Sequence, residues 1–225
     1  MTICIFDLDG TLLNTIADLG CACNYALQKN GFPTHNAEDY PHLVGNGVNK
    51  LIERALPEGH KDEATILRLR QDFVNYYDAH NRDKTLPYEG IKEVITKLKQ
   101  QGFLLAVASN KYQAATETIV HHYFGADTFD VVFGERPGCP RKPDPQIVID
   151  IISKVSHHQI DKVIYIGDSD VDMLTAHNAS AMLSPLPIVS IACTWGFCNE
   201  QTLIDNNPDY VVHRPIELIG LMIDD

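Results

Sequence analysis

Five short apolar runs constrain this chain more than any other feature: ICIF (3–6), FLLAVA (103–108), VIYI (163–166), IVSIAC (188–193) and YVV (210–212). Each is nearly continuous rather than alternating, the pattern of strands covered on both faces. Helical patterns lie between several of them. In IKEVITKLKQQG, Ile91, Val94, Ile95 and Leu98 recur at helical spacing ahead of a stop at Gly102. In PDPQIVIDIISKV, Pro143 suits a first helical position, and Ile147, Ile151 and Ile152 share one face. Alternation of strand and helix predicts an α/β fold, a doubly wound parallel sheet.

Residues 15–85 interrupt that alternation. They carry only helical patterns: Ile16–Lys29, stopped by Asn30-Gly31, then Val48–Leu56, then a long stretch around Glu63–His80. The turn Pro87-Tyr88-Glu89-Gly90 marks the return to the sheet. The chain therefore divides into a Rossmann-like core, 1–14 and 86–225, and an inserted all-helical domain, 15–85; its 225 residues suffice for both. Ligands of open α/β sheets bind beyond the carboxyl ends of the strands. An insert leaving from the tip of the first strand would lie over that mouth as a lid.

A formal net charge of -12 disfavours non-specific partnership with nucleic acid or an anionic membrane. It leaves room for an anionic small molecule, since a local cation can reverse the field in one cleft. No stretch is long enough to cross a bilayer, and the N-terminus lacks the basic flank of a signal peptide. The six cysteines are scattered without a CxxC pair. Cys4 and Cys193, inside apolar runs, read as small buried hydrophobes. A reducing, cytoplasmic setting is expected, with the chain a monomer or homodimer.

Four polar clusters follow apolar strands or open helices on the ligand-binding side: Asp7-Leu8-Asp9-Gly10-Thr11, Ser109-Asn110-Lys111, Arg141-Lys142-Pro143 and Gly167-Asp168-Ser169-Asp170-Val171-Asp172. If Asp7, Asp9 and Asp168 converge, each like-charge pair at 4 Å costs roughly 4 kcal/mol at an effective dielectric near 20. Such a group needs raised pKa values or a bound cation. Carboxylates and carbonyls are hard oxygen ligands, so Mg²⁺ is the natural partner. With Lys142 and the Ser109 hydroxyl it would suit a phosphate dianion, and backbone N–H groups after Asp9 could add donors. One aspartate can then attack phosphorus while the other passes a proton to the leaving alcohol.

ICIFDLDGT, VASN, RKP and GDSDVD resemble, in order, the four motifs of the haloacid dehalogenase-like (HAD) hydrolases. That resemblance implies that Asp7 is the nucleophile and forms an aspartyl-phosphate intermediate. Asp9 is then the general acid/base, and its backbone carbonyl also meets Mg²⁺. Ser109, Asn110 and Lys142 hold the phosphoryl group, and Asp168 completes the metal site of Asp7, Asp9 and Asp168. Asp172 supports metal or lysine rather than ligating directly. A helical lid between the first two motifs is the family's first cap type. HLVGNGVNKLIERAL (42–56) and TWGF (194–197) are similar to segments of phosphoglycolate phosphatases. The resemblance thus implies a Mg²⁺-dependent phosphomonoesterase acting on a small phosphorylated metabolite such as 2-phosphoglycolate. One departure is HNASAMLSPLPIV, where Ser180 stands at a position in which glycine would end the helix.

Taken singly, these residues also have plainer readings. Asp9-Gly10-Thr11 could be turn chemistry ahead of a helix, with Asp9 as its cap. Ser109-Asn110 could cap the next helix, and Asp170 reads as solvent-facing charge at a helix start. Gly45-Asn46-Gly47 could be a plain turn or a lid tip whose amides approach substrate. Lys50 and Arg54, four apart, could pair with a substrate carboxylate or with surface acids such as Glu53. His121-His122 and His157-His158 lack ligand spacing and carry no role.

Three other functions compete. A sugar phosphomutase of the β-phosphoglucomutase type would return phosphate to a sugar. A halide-removing enzyme needs neither the Asp9-type proton donor nor a metal. A receiver module would be shorter, without a lid, and would place its acidic residues on different early strands.

Overall fold

The structure, a computed structural model, describes residues 1–223. Asp224 and Asp225, the last two residues of the expected core segment, lie outside the described residues.

The chain begins with β1 (Thr2–Phe6) and the short β2 (Leu13–Asn14), then enters α1 (Ile16–Lys29), α2 (Tyr40–Leu43), α3 (Val48–Ala55) and α4 (Glu63–His80). It returns through β3 (Leu86–Pro87), α5 (Ile91–Gln100), β4 (Leu104–Tyr112), α6 (Gln113–Phe124) and β5 (Val131–Glu135). The remainder is α7 (Gln146–Lys154), β6 (Lys162–Gly167), α8 (Asp170–Leu183), β7 (Ile188–Cys193), α9 (Glu200–Asp205), β8 (Tyr210–Val212) and α10 (Glu217–Ile223).

Six strands form one parallel sheet in the order β5-β4-β1-β6-β7-β8. The chain builds outward from β1 on one side through β4 and β5, then on the other through β6, β7 and β8. The carboxyl end of β1 is thus the point where the winding reverses, the usual ligand crevice of such sheets. Side chains of β1 alternate between two layers. Cys4 and Phe6 join the core shared with α1, α5 and α6, while Ile3 and Ile5 pack with α7 and α8. The first of these clusters is continuous into the helical segment, through Leu19, Leu51, Leu69 and Phe73.

β2 and β3 pair antiparallel where the chain leaves for the helical segment and where it comes back. Beside this ribbon the buried carboxylate of Asp18 accepts hydrogen bonds from the backbone N–H groups of Lys84 and Thr85 and from the Thr85 hydroxyl. The first turn of α1 is thereby tied to the return strand. Among the described residues no helix is long and apolar enough to cross a membrane, and all six cysteines are free thiols.

Four local expectations differ from the structure. Val131–Glu135 is a sixth strand, β5, at the sheet edge beyond β4. α7 begins at Gln146 with Pro145 at its N-cap, so Pro143 belongs to the preceding loop; Asp144 Oδ1 accepts from the Gln146 N–H there. Ser109 and Asn110 cap no helix, because β4 continues through Tyr112 and α6 starts at Gln113. α8 runs past Ser180 to Leu183, so no glycine stop is needed at that point.

Candidate active site

Strand register explains why residues so distant in sequence meet. Phe6 is level with Val107 on one side and Ile166 on the other. The next residue on each path, Asp7, Ala108 and Gly167, reaches the same rim, with Ser109 and Asp168 one step beyond. Asp7 Oδ1 accepts from Lys142 Nζ at 2.7 Å, and the Asp7 N–H donates to the Ile166 carbonyl at 2.9 Å. Asp7 Oδ2 takes no hydrogen bond from the described residues, and Asp7 lines a cavity of about 450 Å³.

Lys142 is the buried counter-charge. Its ammonium donates to Asp7, to the Ala108 carbonyl at 2.8 Å and to Asp172 Oδ1 at 2.7 Å, which uses all three N–H bonds. Burial opposes its charge, but Asp172 and Asp7 outweigh burial and hold its pKa above the usual lysine range. Burial pushes the Asp7 carboxyl up to about 7 against the pull of Lys142. Asp168 is also raised, first by burial and then by Asp7 and Asp172, with the Phe197 N–H and Thr11 hydroxyl working against the rise.

Asp7, Asp168 and Asp172 offer carboxylate oxygens that all lie within 4.8 Å of one another. Three buried carboxylates facing one ammonium are short of positive charge, and their hard oxygen donors fit a small divalent cation such as Mg²⁺. The three differ in availability. Asp172 Oδ1 faces Lys142, and Oδ2 closes a capping box with Ser169 at the start of α8. Its oxygens are engaged by protein donors, as expected for a residue that supports the lysine. Asp168 also accepts on both oxygens, but from the neutral Thr11 hydroxyl and Phe197 N–H, and it lines the cavity with Asp7, which Asp172 does not. The Asp9 carboxylate stands outside this group, so a part in the metal site would fall to its backbone carbonyl.

Asp9 is held on both oxygens, Oδ1 by the Thr15 hydroxyl at 2.7 Å and Oδ2 by Lys111 Nζ at 2.8 Å. Thr15, not Asp9, occupies the N-cap of α1. Ser109 is buried on the cavity wall, and its hydroxyl accepts from the Lys111 N–H at 3.1 Å. The Asn110 carboxamide brackets the backbone of one residue: it donates to the Lys142 carbonyl at 3.1 Å and accepts from the Lys142 N–H at 3.0 Å. Its side chain therefore positions the lysine loop, leaving its backbone for any direct phosphate contact. Asp170 is half-buried and lines the cavity, in contrast to the solvent-facing expectation.

The helical segment supplies the opposite wall. Asn46 and Arg54 line the cavity; Lys50 does not, and pairs with Glu53 at 2.8 Å on the exposed side of α3. Of the two readings the sequence allows for Lys50, that placement is the surface pairing with Glu53. Arg54 braces the lid tip through the carbonyls of Leu43 and Val44 and Asn46 Oδ1. Gly47 touches the core, where a Cβ would stand 3.2 Å from the Asn110 carbonyl oxygen.

Several functional contacts escape sequence reasoning. Lys111 has no role that its motif alone implies, yet it is buried against Asp9, and its ammonium sits 4.7 Å from the ring centroid of Tyr77 on α4. Thr11 Oγ1 donates to Asp168 Oδ1 at 3.0 Å. TWGF acquires a physical meaning: Trp195 Nε1 donates to the Thr11 carbonyl at 3.1 Å, and the Phe197 N–H to Asp168 Oδ2 at 2.8 Å. Gly10 and Gly196 clamp the same carboxylate from two sides, since a Cβ would fall 2.1 Å from Asp168 Oδ2 at Gly10 and 2.3 Å at Gly196. Only the GT of DxDGT and the recurrence of TWGF hinted at these roles.

The sequence profile of the haloacid dehalogenase-like hydrolases matches residues 4–183. A phosphoglycolate phosphatase from Agrobacterium fabrum is 34% identical over 215 residues, covering 92% of this chain and 86% of its own. One from Vibrio parahaemolyticus is 31% identical, covering 96% and 94%. Among solved structures, a protein from Lactobacillus delbrueckii subsp. bulgaricus, provisionally assigned as a phosphoglycolate phosphatase, superposes with a TM-score of 0.88. It is 31% identical and covers 99% of this chain and 98% of its own. CbbY from Rhodobacter sphaeroides shares the fold at a TM-score of 0.78 and 19% identity, covering 96% of this chain and 95% of its own. The parallel sheet, the acidic rim at the end of β1 and these relatives converge: the chain belongs to the haloacid dehalogenase-like hydrolases and is a phosphatase.

Proposed function

We propose that the enzyme hydrolyses 2-phosphoglycolate, with Mg²⁺ required and an aspartyl phosphate on Asp7 as the intermediate. The observation that carries the chemistry is Asp7 itself: one oxygen is fixed by Lys142, the other takes no hydrogen bond from the described residues, and Asp7 lines the cavity with Asp168 alongside. The relatives named as phosphoglycolate phosphatases support the choice of substrate.

In the first half-reaction Asp7 Oδ2 forms a bond to phosphorus as the ester P–O bond breaks. Protonated Asp9 gives its proton to the leaving oxygen of glycolate. In the second, Asp9 takes a proton from water as that water attacks phosphorus, and the bond to Asp7 breaks to release inorganic phosphate. Lys142 holds Asp7 and offsets its charge; Ser109 and backbone N–H groups of the same rim bind the phosphoryl oxygens. Mg²⁺ held by Asp7, Asp168 and the Asp9 carbonyl would supply charge neutralisation for the dianion.

In the same reading residues 15–85 act as a cap over a core of 1–14 and 86–225, bringing an apolar wall down on the substrate and excluding water. The six free thiols suit a cytoplasmic enzyme. A screen of inorganic phosphate release across small phosphorylated metabolites, with Mg²⁺ present, tests the assignment. 2-Phosphoglycolate is expected among the best substrates, and a clear preference for sugar phosphates with no turnover of 2-phosphoglycolate would refute it.

A further inference from the structure

Three lysine or arginine side chains line the cavity among the described residues: Arg54, Lys111 and Lys142. They differ in what they have left to offer. Lys142 gives its three N–H bonds to Asp7, Ala108 and Asp172. Arg54 gives three of its five N–H bonds to the Leu43 and Val44 carbonyls and to Asn46, which fixes its guanidinium on the helical segment rather than beside Asp9. Lys111 alone makes a single side-chain hydrogen bond, to Asp9, with its side chain only 3% exposed. One side of its ammonium rests on the Tyr77 ring, which donates nothing and accepts weakly. A buried ammonium with two undirected N–H bonds at the wall of a cavity is a site for a second acceptor.

Its position selects that acceptor. Asp9 must reach the leaving oxygen of the ester, and Lys111 Nζ is 2.8 Å from Asp9 Oδ2. A group that Lys111 can also touch must therefore lie within a few bonds of the leaving oxygen. In the phosphate of an α-hydroxy acid, one carbon separates that oxygen from the carboxylate. The geometry points to Lys111 as the residue that binds the substrate carboxylate, bridging it to Asp9, so that the enzyme selects phosphate esters of α-hydroxy acids from the core rather than from the cap. This rests on the phosphatase reading above and adds the source of its selectivity. Tyr77 is the rigid seat that keeps the ammonium from swinging away, and it links that seat to α4.

The test compares kcat/KM for 2-phosphoglycolate and its neutral amide, 2-phosphoglycolamide, with Mg²⁺ present. The wild-type enzyme is expected to favour the acid by about 30-fold or more, the scale of a hydrogen-bonded charge. In Lys111→Met and Lys111→Gln, thermal melting establishes folding, and the acid-to-amide ratio should collapse toward one. Lys111→Arg should retain much of the preference. Equal losses on both substrates with the ratio unchanged would reduce Lys111 to a positioning residue for Asp9 and overturn the inference. So would loss of the ratio in Arg54→Met with retention in Lys111→Met, or a wild-type enzyme that treats acid and amide alike. Turnover of neither compound overturns the substrate reading itself, a result distinct from all of these.

Discussion

Lys142 Nζ lies 2.7 Å from Asp7 Oδ1, joining residues 135 positions apart at the rim of the sheet. The contact is almost wholly enclosed, with side-chain exposures of 3% and 11%. A paired charge in such a place is costly to strip of its partner. Lys142→Met should therefore lower the unfolding free energy by about 3 kcal/mol near neutral pH and abolish phosphatase activity. Denaturant unfolding with and without Mg²⁺ checks this, and the added cation should restore part of the lost stability.

The pKa of Asp7, raised to about 7, gives the metal-free protein a defined pH response. A carboxyl whose folded pKa exceeds its unfolded value retains a proton that the unfolded chain has released. Stability from this group is therefore full below the ordinary carboxyl value of 3.8 and declines as pH rises toward about 7. Asp7→Asn removes that penalty. With chelator present, the variant should match wild type near the lower limit and exceed it by about 4 kcal/mol above the upper one. Denaturation at the two pH extremes measures the difference.

Gly196 leaves no room for a side chain against Asp168. Gly196→Ala should displace that carboxylate, lowering kcat/KM by about 100-fold, as expected for a shift of an ångström in a group proposed to hold Mg²⁺. The Mg²⁺ concentration giving half-maximal activity should rise, while far-ultraviolet circular dichroism stays that of wild type.

Asp18 concerns the hinge rather than the chemistry. Asp18→Ala leaves the N–H groups of Lys84 and Thr85 without their buried acceptor and should cost about 3 kcal/mol of stability. Amide hydrogen exchange should increase first at residues 84 and 85.

The fold was legible where hydrophobic pattern and element coincide. IVSIAC and YVV become β7 and β8 residue for residue, and the helical spacing of Ile16–Lys29 becomes α1. Val131–Glu135 was missed because its second half is Gly-Glu rather than apolar, as an edge strand allows. Pro143 misled because a proline suited to a helix start also suits a loop, and Pro145 took the cap. At the site, the meeting of Asp7 and Asp168 could be anticipated because each follows a strand that ends at the same rim, while Lys142 joins them from the loop between β5 and α7. Lys111 could not be read in this way. Its meaning depends on Asp9, 102 residues away, and on a tyrosine ring delivered by α4.

The most direct measurement is chemical trapping of the covalent intermediate. Enzyme mixed with Mg²⁺ and excess substrate is acid-quenched within the first turnovers, reduced with borohydride and mapped by peptide mass spectrometry. An acyl phosphate on Asp7 is reduced to homoserine, so the peptide carrying residue 7 should show that conversion, in a substrate-dependent manner and not in Asp7→Asn. Conversion at another carboxylate, or sustained phosphate release by Asp7→Asn, would contradict the assignment of Asp7 as the nucleophile.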